Sequence, residues 1–454
     1  MSTSRALPAL LACPRCGRAP LSDPDERYRC DECRVDFPLI EGIPWLFAEP
    51  TAALGEWRSR VDFSLHTLAR EHRQLSAAAE AKAIGTLTRQ RLTRLAEATQ
   101  DHAARLETLL APLRTEPRTA SYDTQLAFRT RVPLDQGLMT YAYNIHRDWS
   151  WGREENEASY ELVSHALNGD SPRKALVLGA GAGRLAYDLH MRTASETTVV
   201  LDFNPFLLLL AQRITRGESI ELYEFPLAPR SVDDYAVLRT LAAERACRDG
   251  LHYVLADVHR PPFVAGGFDL VLTPWLVDIL PEPFEHLCRR INALLAHNGR
   301  WINFGSLSFH IADPTLRYSP EECADIIGSN GFETPTLRET AMPYLCSPAS
   351  RHGRREQVVS WCAAKRHDAA VAPEYEALPS WIVNGREPVP LLDSFRQQAL
   401  STRVRAFTLS LIDGRRSLQD MAHVFVEQNL MTQNEAEAAI REALIKLYER
   451  SRRP

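Results

Sequence analysis

The stretch Ala175-Leu176-Val177-Leu178-Gly179-Ala180-Gly181-Ala182-Gly183-Arg184-Leu185-Ala186 reads as a strand, a glycine turn and a helix start. Glycines let the backbone pass close to a ligand, and a helix N-terminus presents free N–H groups. Asp202 follows 19 residues after Gly183, at the end of a second apolar run, Thr198–Leu201. A carboxylate there accepts hydrogen bonds from both ribose hydroxyls of an adenosine ligand. Alone, the constellation is ambiguous. Gly181 to Ala186 also fits a dinucleotide fingerprint of the GxGxxA type.

Outward from the turn, short apolar runs alternate with helical stretches: Tyr253–Ala256, Phe268–Leu272 and Trp301–Phe304. That alternation predicts an α/β fold, a parallel sheet with crossover helices. Two later runs, Thr336–Met342 and Gln357–Ala363, predict antiparallel edge strands. Upstream, from about 56 to 111, the chain has no Pro and one Gly, Gly85. Val61, Leu65, Leu68, Leu75 and Ala79 share one helical face, and Leu92, Leu95, Leu106 and Leu109 repeat the pattern. Two long helices are expected, ended by Pro112 and Pro117. The domain limits are 1–49, 50–130, 131–368 and 381–454, with a linker rich in Ala, Pro and Glu before the last.

The 454 residues carry 53 Lys+Arg against 58 Asp+Glu, a formal charge of −5. With 45% hydrophobic and 24% charged residues the chain is neither disordered nor collagenous. The near balance of charge gives no reason to expect nucleic acid as a partner. No run of about 18 apolar residues exists to span a membrane. The N-terminus makes a poor secretory signal, so a cytoplasmic location is expected.

Four of nine cysteines form two CxxC pairs, Cys13/Cys16 and Cys30/Cys33, separated by 13 residues. Each pair places two thiolates on one tight knuckle, and two knuckles complete a tetrahedron of sulfurs around a structural Zn2+ with no open position. A segment of about 45 residues has little core of its own, and the metal supplies the missing stability. This zinc ribbon, followed by Phe37-Pro38-Leu39-Ile40-Glu41-Gly42-Ile43-Pro44, resembles the small activator subunits of RNA methyltransferases.

Asp257, in Leu255-Ala256-Asp257-Val258, ends a third strand, and Asn298-Gly299-Arg300-Trp301-Ile302-Asn303 turns into a fifth. The order of these features resembles class I methyltransferases, a Rossmann-like fold. There the acid at this position faces the adenine amino group of S-adenosylmethionine. Four further segments narrow the resemblance: Asn144-Ile145-His146-Arg147-Asp148-Trp149-Ser150, Trp275-Leu276-Val277-Asp278, the run Trp301 to His310, and Tyr318-Ser319-Pro320-Glu321-Glu322. Together with the glycine loop they resemble the carnosine N-methyltransferase family, over roughly residues 130–366.

That resemblance implies that Arg147 contacts the cofactor's methionine carboxylate, with Asn144 standing where the family has Gln. Asp202 stands where the family has Glu. Gly179, Gly181, Gly183, Phe203 and Val258 complete the implied cofactor set. Asp278 and His310 match the residues that hold the substrate imidazole. A family tyrosine has no clear counterpart; the stretch at its place is Arg354-Arg355-Glu356-Gln357. The expected reaction is N-methylation of an imidazole in histidine or a histidine-containing small molecule or peptide. The chemistry agrees: the attacking ring must be neutral, and a carboxylate on its other N–H fixes the tautomer and stabilises the cation formed.

Two other functions compete. The ribbon suggests an RNA methyltransferase, but Thr273-Pro274-Trp275-Leu276 lacks the polar head and second proline of base-amino methylases. A non-catalytic scaffold around a vestigial fold is the third reading.

The last seventy residues read as a small, mostly α, winged-helix-like domain. Capping boxes are expected at Ser417/Asp420 and Thr432/Glu435. It weakly resembles the peptide-binding domain of pyrroloquinoline quinone biosynthesis. The segment is either a packing or homo-oligomerisation module or a site for a peptide or protein partner.

Overall fold

A computed structural model of the chain describes residues 7–22, 27–114, 137–309, 313–370 and 388–452. The expected alternation of strand and helix is present. The strands, in chain order, are β1 Tyr28–Cys30, β2 Val35–Phe37, β3 Leu39–Ile40, β4 Ile43–Pro44, β5 Lys174–Leu178, β6 Thr197–Asp202 and β7 Ile220–Glu224. They continue with β8 Val237–Leu241, β9 Leu251–Leu255, β10 Phe268–Pro274, β11 Leu295–Gly305, β12 Arg338–Tyr344 and β13 Arg354–Ala364.

Seven of them form one sheet in the order β12-β13-β11-β10-β5-β6-β9. The pairs β10/β11, β5/β10, β5/β6 and β6/β9 are parallel. Only β13 runs against the rest, and it lies inside the sheet between β11 and β12. This corrects the expectation of two antiparallel edge strands: β12 is the edge and runs parallel to β11. A reversed pair returning on itself needs only a short turn, so β13 slots in beside β11 and leaves β12 outside.

Strand side chains alternate between two cores. Ala175 and Val177 of β5 face one, Leu176 and Leu178 the other. Both faces are covered, which is why these runs are continuously apolar. On the first face lies Pro205–Thr215, a helix whose Leu207, Leu208, Leu209 and Leu210 are all buried. A helix apolar all round needs cover on both sides. The sheet provides one side and the long helix Thr86–Leu110 helps provide the other. Each such leucine contributes about 2 kcal/mol by leaving water. Asn204 caps this helix by accepting from Phe206 N, and Pro205 sits where its missing N–H is harmless. Thr86–Leu110 pairs with Pro50–Ala79 through Trp57, Val61, Leu106 and Leu109. The two expected long helices are joined over 80–85, a stretch that ends at Gly85. The second helix stops before the short turn Ala111–Leu113 that holds Pro112, and Pro117 lies outside the described residues.

On the opposite face lie Phe284–Leu294 and Pro320–Ser329, the latter opened by a reciprocal Ser319/Glu322 capping box. The hairpin β7/β8 was not foreseen. The cysteine ribbon packs at the β9 end. Its Leu46 joins one core and its Trp45 the other, so the segment wraps the sheet edge.

Residues 378–454 form a second compact unit. Its described part has three helices, Asp393–Ser410, Leu418–Glu427 and Gln433–Arg452, around Met421, Phe425 and Ile440, with no strand among the described residues. The Ser417/Asp420 box is reciprocal, and Glu435 accepts from Thr432 N at 3.0 Å. No described helix is long and apolar enough to cross a membrane.

Candidate active site

The glycine turn follows β5 at the carboxyl end of the parallel strands. Gly179, Gly181 and Gly183 all have positive φ, and a Cβ at Gly181 would meet nothing within 4 Å. The turn therefore borders open space, the cradle a nucleoside ligand needs. Gly183 opens the helix Arg184–Arg192, and a helix N-terminus carries free N–H groups suited to an anionic or polar ligand.

Asp202, the last residue of β6, closes one side. Its Oδ2 accepts from Gly181 N at 2.8 Å and its Oδ1 from Asn204 N at 2.9 Å. Burial pushes this carboxyl up to about 6, against the pull of those backbone N–H groups. Each carboxylate oxygen has a second lone pair, so ribose hydroxyls remain acceptable donors. Phe203 beside it is half-buried, its ring 5.9 Å from that of Trp57.

Asp257 lies two residues past β9. Its Oδ1 accepts from His259 N at 2.9 Å and pairs with His259 Nδ1 at 2.7 Å. Burial raises its pKa, but these bonds win and hold it below the ordinary carboxylate range. Asp257 Oδ2 takes no hydrogen bond from the described residues. Val258 next to it is buried.

The segment before the core is fastened over the glycine turn. Trp149 Nε1 donates to Ala182 O at 2.8 Å, and Arg184 donates to Asp148 O at 3.0 Å. This fixes Arg147, in a π-helical turn Arg147–Trp151, with its guanidinium on Asp148 Oδ1 at 2.6 Å. Asn144, one turn earlier in Ala142–His146, is half-buried.

Asp278 sits in the turn Val277–Ile279 after β10 and is buried. Its Oδ2 accepts from Ser306 Oγ at 2.5 Å and from Ser308 N at 2.8 Å, both beyond the end of β11. Its Oδ1 takes no hydrogen bond from the described residues. Leu276, two residues before it, packs so closely on Gly179 that a Cβ there would lie 2.7 Å from the leucine. Asp278 is therefore held beside the glycine turn. His310 lies outside the described residues.

Tyr344 was missed in the sequence. It ends β12 and pairs across to Arg354, the start of the stretch where the family tyrosine was sought. Its ring lies 4.8 Å from that of Trp275 and 4.7 Å from the Arg354 guanidinium. Burial pushes its phenol up, while the neighbouring Arg147 and Arg354 pull it down. Glu155 holds the turn beyond it by accepting from Leu345 N and Cys346 N at 2.9 and 2.8 Å. Only strand pairing reveals this juxtaposition; the one local signal is an isolated aromatic at a strand end. A groove of about 1390 Å³ opens elsewhere, between the helix Arg153–Leu167 and the β11–β13 face, and none of Gly179, Asp202 or Asp278 lines it.

The sulfurs of Cys13, Cys16, Cys30 and Cys33 all lie within 4.8 Å of one another. Cys13–Cys33 is 3.9 Å and Cys16–Cys30 is 3.6 Å. A regular tetrahedron with Zn–S bonds of about 2.3 Å puts sulfurs about 3.8 Å apart. The four thiols fit zinc, which would hold the two knuckles together as a structural ion.

With β13 reversed inside an otherwise parallel sheet, a glycine turn after its central strand and an acid after the next, the core has the class I methyltransferase fold. The chain belongs to the carnosine N-methyltransferase family, whose model matches residues 136–367. It is 26% identical over 252 residues to a carnosine N-methyltransferase of Drosophila melanogaster, covering 49% of this chain and 53% of that one. The chain thus spans about half the length of that relative. Over 48 residues it is 42% identical to UPF0434 protein MS0934 of Mannheimia succiniciproducens, covering 10% of this chain and 79% of that protein. Among solved structures, the N-methyltransferase NodS of Bradyrhizobium japonicum aligns at 14% identity and a TM-score of 0.30, over 47% of this chain and 97% of its own.

Proposed function

We propose that this chain transfers a methyl group from S-adenosylmethionine to an imidazole nitrogen of histidine or a histidine-containing small molecule or peptide. The observation that carries the reading is Asp278. It is buried, one oxygen is committed to Ser306 and Ser308, and the other has no partner among the described residues. A buried carboxylate with a spare oxygen beside a ligand cradle is suited to an N–H donor.

S-adenosylmethionine, when bound, supplies an electrophilic methyl on a sulfonium. Asp202 would hold the ribose, Asp257 would face the adenine, and Arg147 would take the methionine carboxylate. Asp278 accepts the far N–H of a neutral imidazole and aims the other nitrogen's lone pair at the methyl carbon. A new N–C bond forms as the C–S bond breaks, and the positive charge passes from sulfur to the ring. Asp278 faces that charge at low dielectric, which favours the transition state more than the neutral ground state. The ring N–H proton is then released to solvent or to a base at the site. Trp275 and Tyr344 form an aromatic wall for the acceptor. Most of the acceleration comes from orientation, with nitrogen and carbon held about 3–3.5 Å apart.

The test is methyl transfer from labelled cofactor to free histidine, carnosine and histidine peptides, with the product nitrogen located by NMR. Turnover on one of these supports the reading. Cofactor binding with no turnover on any of them defeats the imidazole assignment.

A further inference from the structure

We propose that the zinc ribbon is a clamp on the loop that carries Asp257, so that ribbon backbone groups act as positioning elements of the cofactor site. The inference rests on the cofactor reading above for its consequence, but its geometry stands apart from it.

β9 is the last strand of the sheet and would expose its outer N–H and C=O groups. The ribbon covers that edge at Leu255. Leu46 N donates to Leu255 O at 2.8 Å, and Trp45 bridges Leu255 in parallel. The chain then leaves the sheet through Ala256, Asp257, Val258 and His259. It returns to the ribbon at Phe263, which bridges Leu11 in the antiparallel sense. Ala12 N donates to Pro262 O at 2.8 Å, and Val264 N donates to Leu10 O at 2.9 Å. The ribbon therefore grips the loop at both ends.

Both grips converge on one metal knuckle. Ala12 directly precedes Cys13. Arg15, inside the knuckle, donates to Ala48 O at 2.7 Å and pairs with Glu49, just beyond Leu46. An ion that held Cys13 and Cys16 against Cys30 and Cys33 would thus hold both ends of the Asp257 loop. A loop fixed at both ends has few conformations to lose when a ligand binds. Freed from the ribbon, it must be ordered by the ligand itself, and affinity falls.

The experiment uses the full chain and S-adenosylhomocysteine as the probe. Zinc content is measured by mass spectrometry, binding by calorimetry and local opening by hydrogen exchange. Wild type is compared with Cys16→Ser, which alters the exposed sulfur of the four, and with chelated and zinc-reloaded wild type. Leu46→Pro removes one gripping N–H and leaves every cysteine in place. Metal loss is expected to weaken binding about tenfold or more. Exchange should accelerate over 255–264 while β5 and β10 stay protected, and zinc should restore both. Leu46→Pro should accelerate the same loop with zinc retained.

Three results would overturn the clamp: no zinc bound, metal-free protein binding within about twofold of wild type, or protection lost evenly across the sheet. The last would make the ion a staple for the whole fold. Wild-type protein that fails to bind S-adenosylhomocysteine strikes the cofactor reading instead, and exchange over 255–264 still decides the clamp.

Discussion

The indole of Trp149 donates its hydrogen bond to the carbonyl of Ala182, in the middle of the glycine turn. One side chain from outside the sheet thereby sets the position of the backbone that would cradle the cofactor. It also brings Arg147, two residues away, to the same place. The Arg184 guanidinium, 5.5 Å from the Trp149 ring, closes the contact from the other side.

Trp149→Phe keeps the ring and deletes the donor. A buried hydrogen bond is worth about 1 kcal/mol net, and more when its acceptor is left unpaired. The dissociation constant for S-adenosylhomocysteine should rise about fivefold to thirtyfold. Calorimetry measures this, and far-ultraviolet circular dichroism should be unchanged.

Asp278→Asn keeps the shape and removes the charge. The acceptor-site amide can no longer stabilise the ring cation, so kcat should fall at least about 100-fold. Binding of S-adenosylhomocysteine should stay within about twofold, because Asp278 is assigned to the acceptor and not to the cofactor. Steady-state kinetics and calorimetry on the same preparation separate the two. An equal loss in both would mean that Asp278 serves only to pin Ser306 and Ser308.

Tyr344→Ala removes one ring of the acceptor wall. The KM for the acceptor should rise about tenfold, roughly the value of a lost aromatic contact, with the cofactor's KM little changed. Tyr344→Phe should recover most of the loss if stacking is the role, and little if the phenol bonds the acceptor.

The pKa of Asp202 in the folded chain, about 6, lies above its unfolded value because burial disfavours the charge. Its contribution to stability is present below about pH 4 and lost as pH rises through 6. If Asp202 holds the ribose as proposed, its hydroxyls would donate to the ionised form, and cofactor affinity should run the other way. It should weaken about tenfold for each pH unit below 6. Calorimetry from pH 5 to 8 tests this, and Asp202→Asn should flatten the profile.

Three buried imidazoles act oppositely on stability. Burial lowers His102 to about 4 and His146 to about 3, the latter helped by its His102 neighbour. His190 falls to about 4, by burial and then by Arg248. Their folded values lie below the unfolded one, so their contribution is present above about pH 6.5. It is lost as pH falls through 4 and then 3. The shifts correspond to roughly 3 kcal/mol for His102 and His190 and roughly 5 kcal/mol for His146, so together they outweigh Asp202. The melting temperature should drop steeply below pH 6, and His102→Phe should shallow that slope.

Legibility in the sequence followed the range of the interactions. Strand β5, the glycine turn, Asp202 and the cysteine quartet are local: their periodicity, backbone freedom or ligand spacing resides in a dozen or two neighbouring residues. The capping box at Ser417 and Asp420 was legible for the same reason. What the tertiary structure alone decided is everything that depends on which distant segments meet. It placed β13 inside the sheet rather than at its edge, because hydrogen-bond pairing between strands is set by packing and not by run composition. It set Tyr344 opposite Arg354 and turned Asp278 onto Ser306 and Ser308. It also joined Leu46 and Ala12 to the two ends of the Asp257 loop, more than two hundred residues away in sequence. Local sequence selects which groups are present, but a bond between segments far apart in the chain forms only where a shared core brings their backbones within about 3 Å.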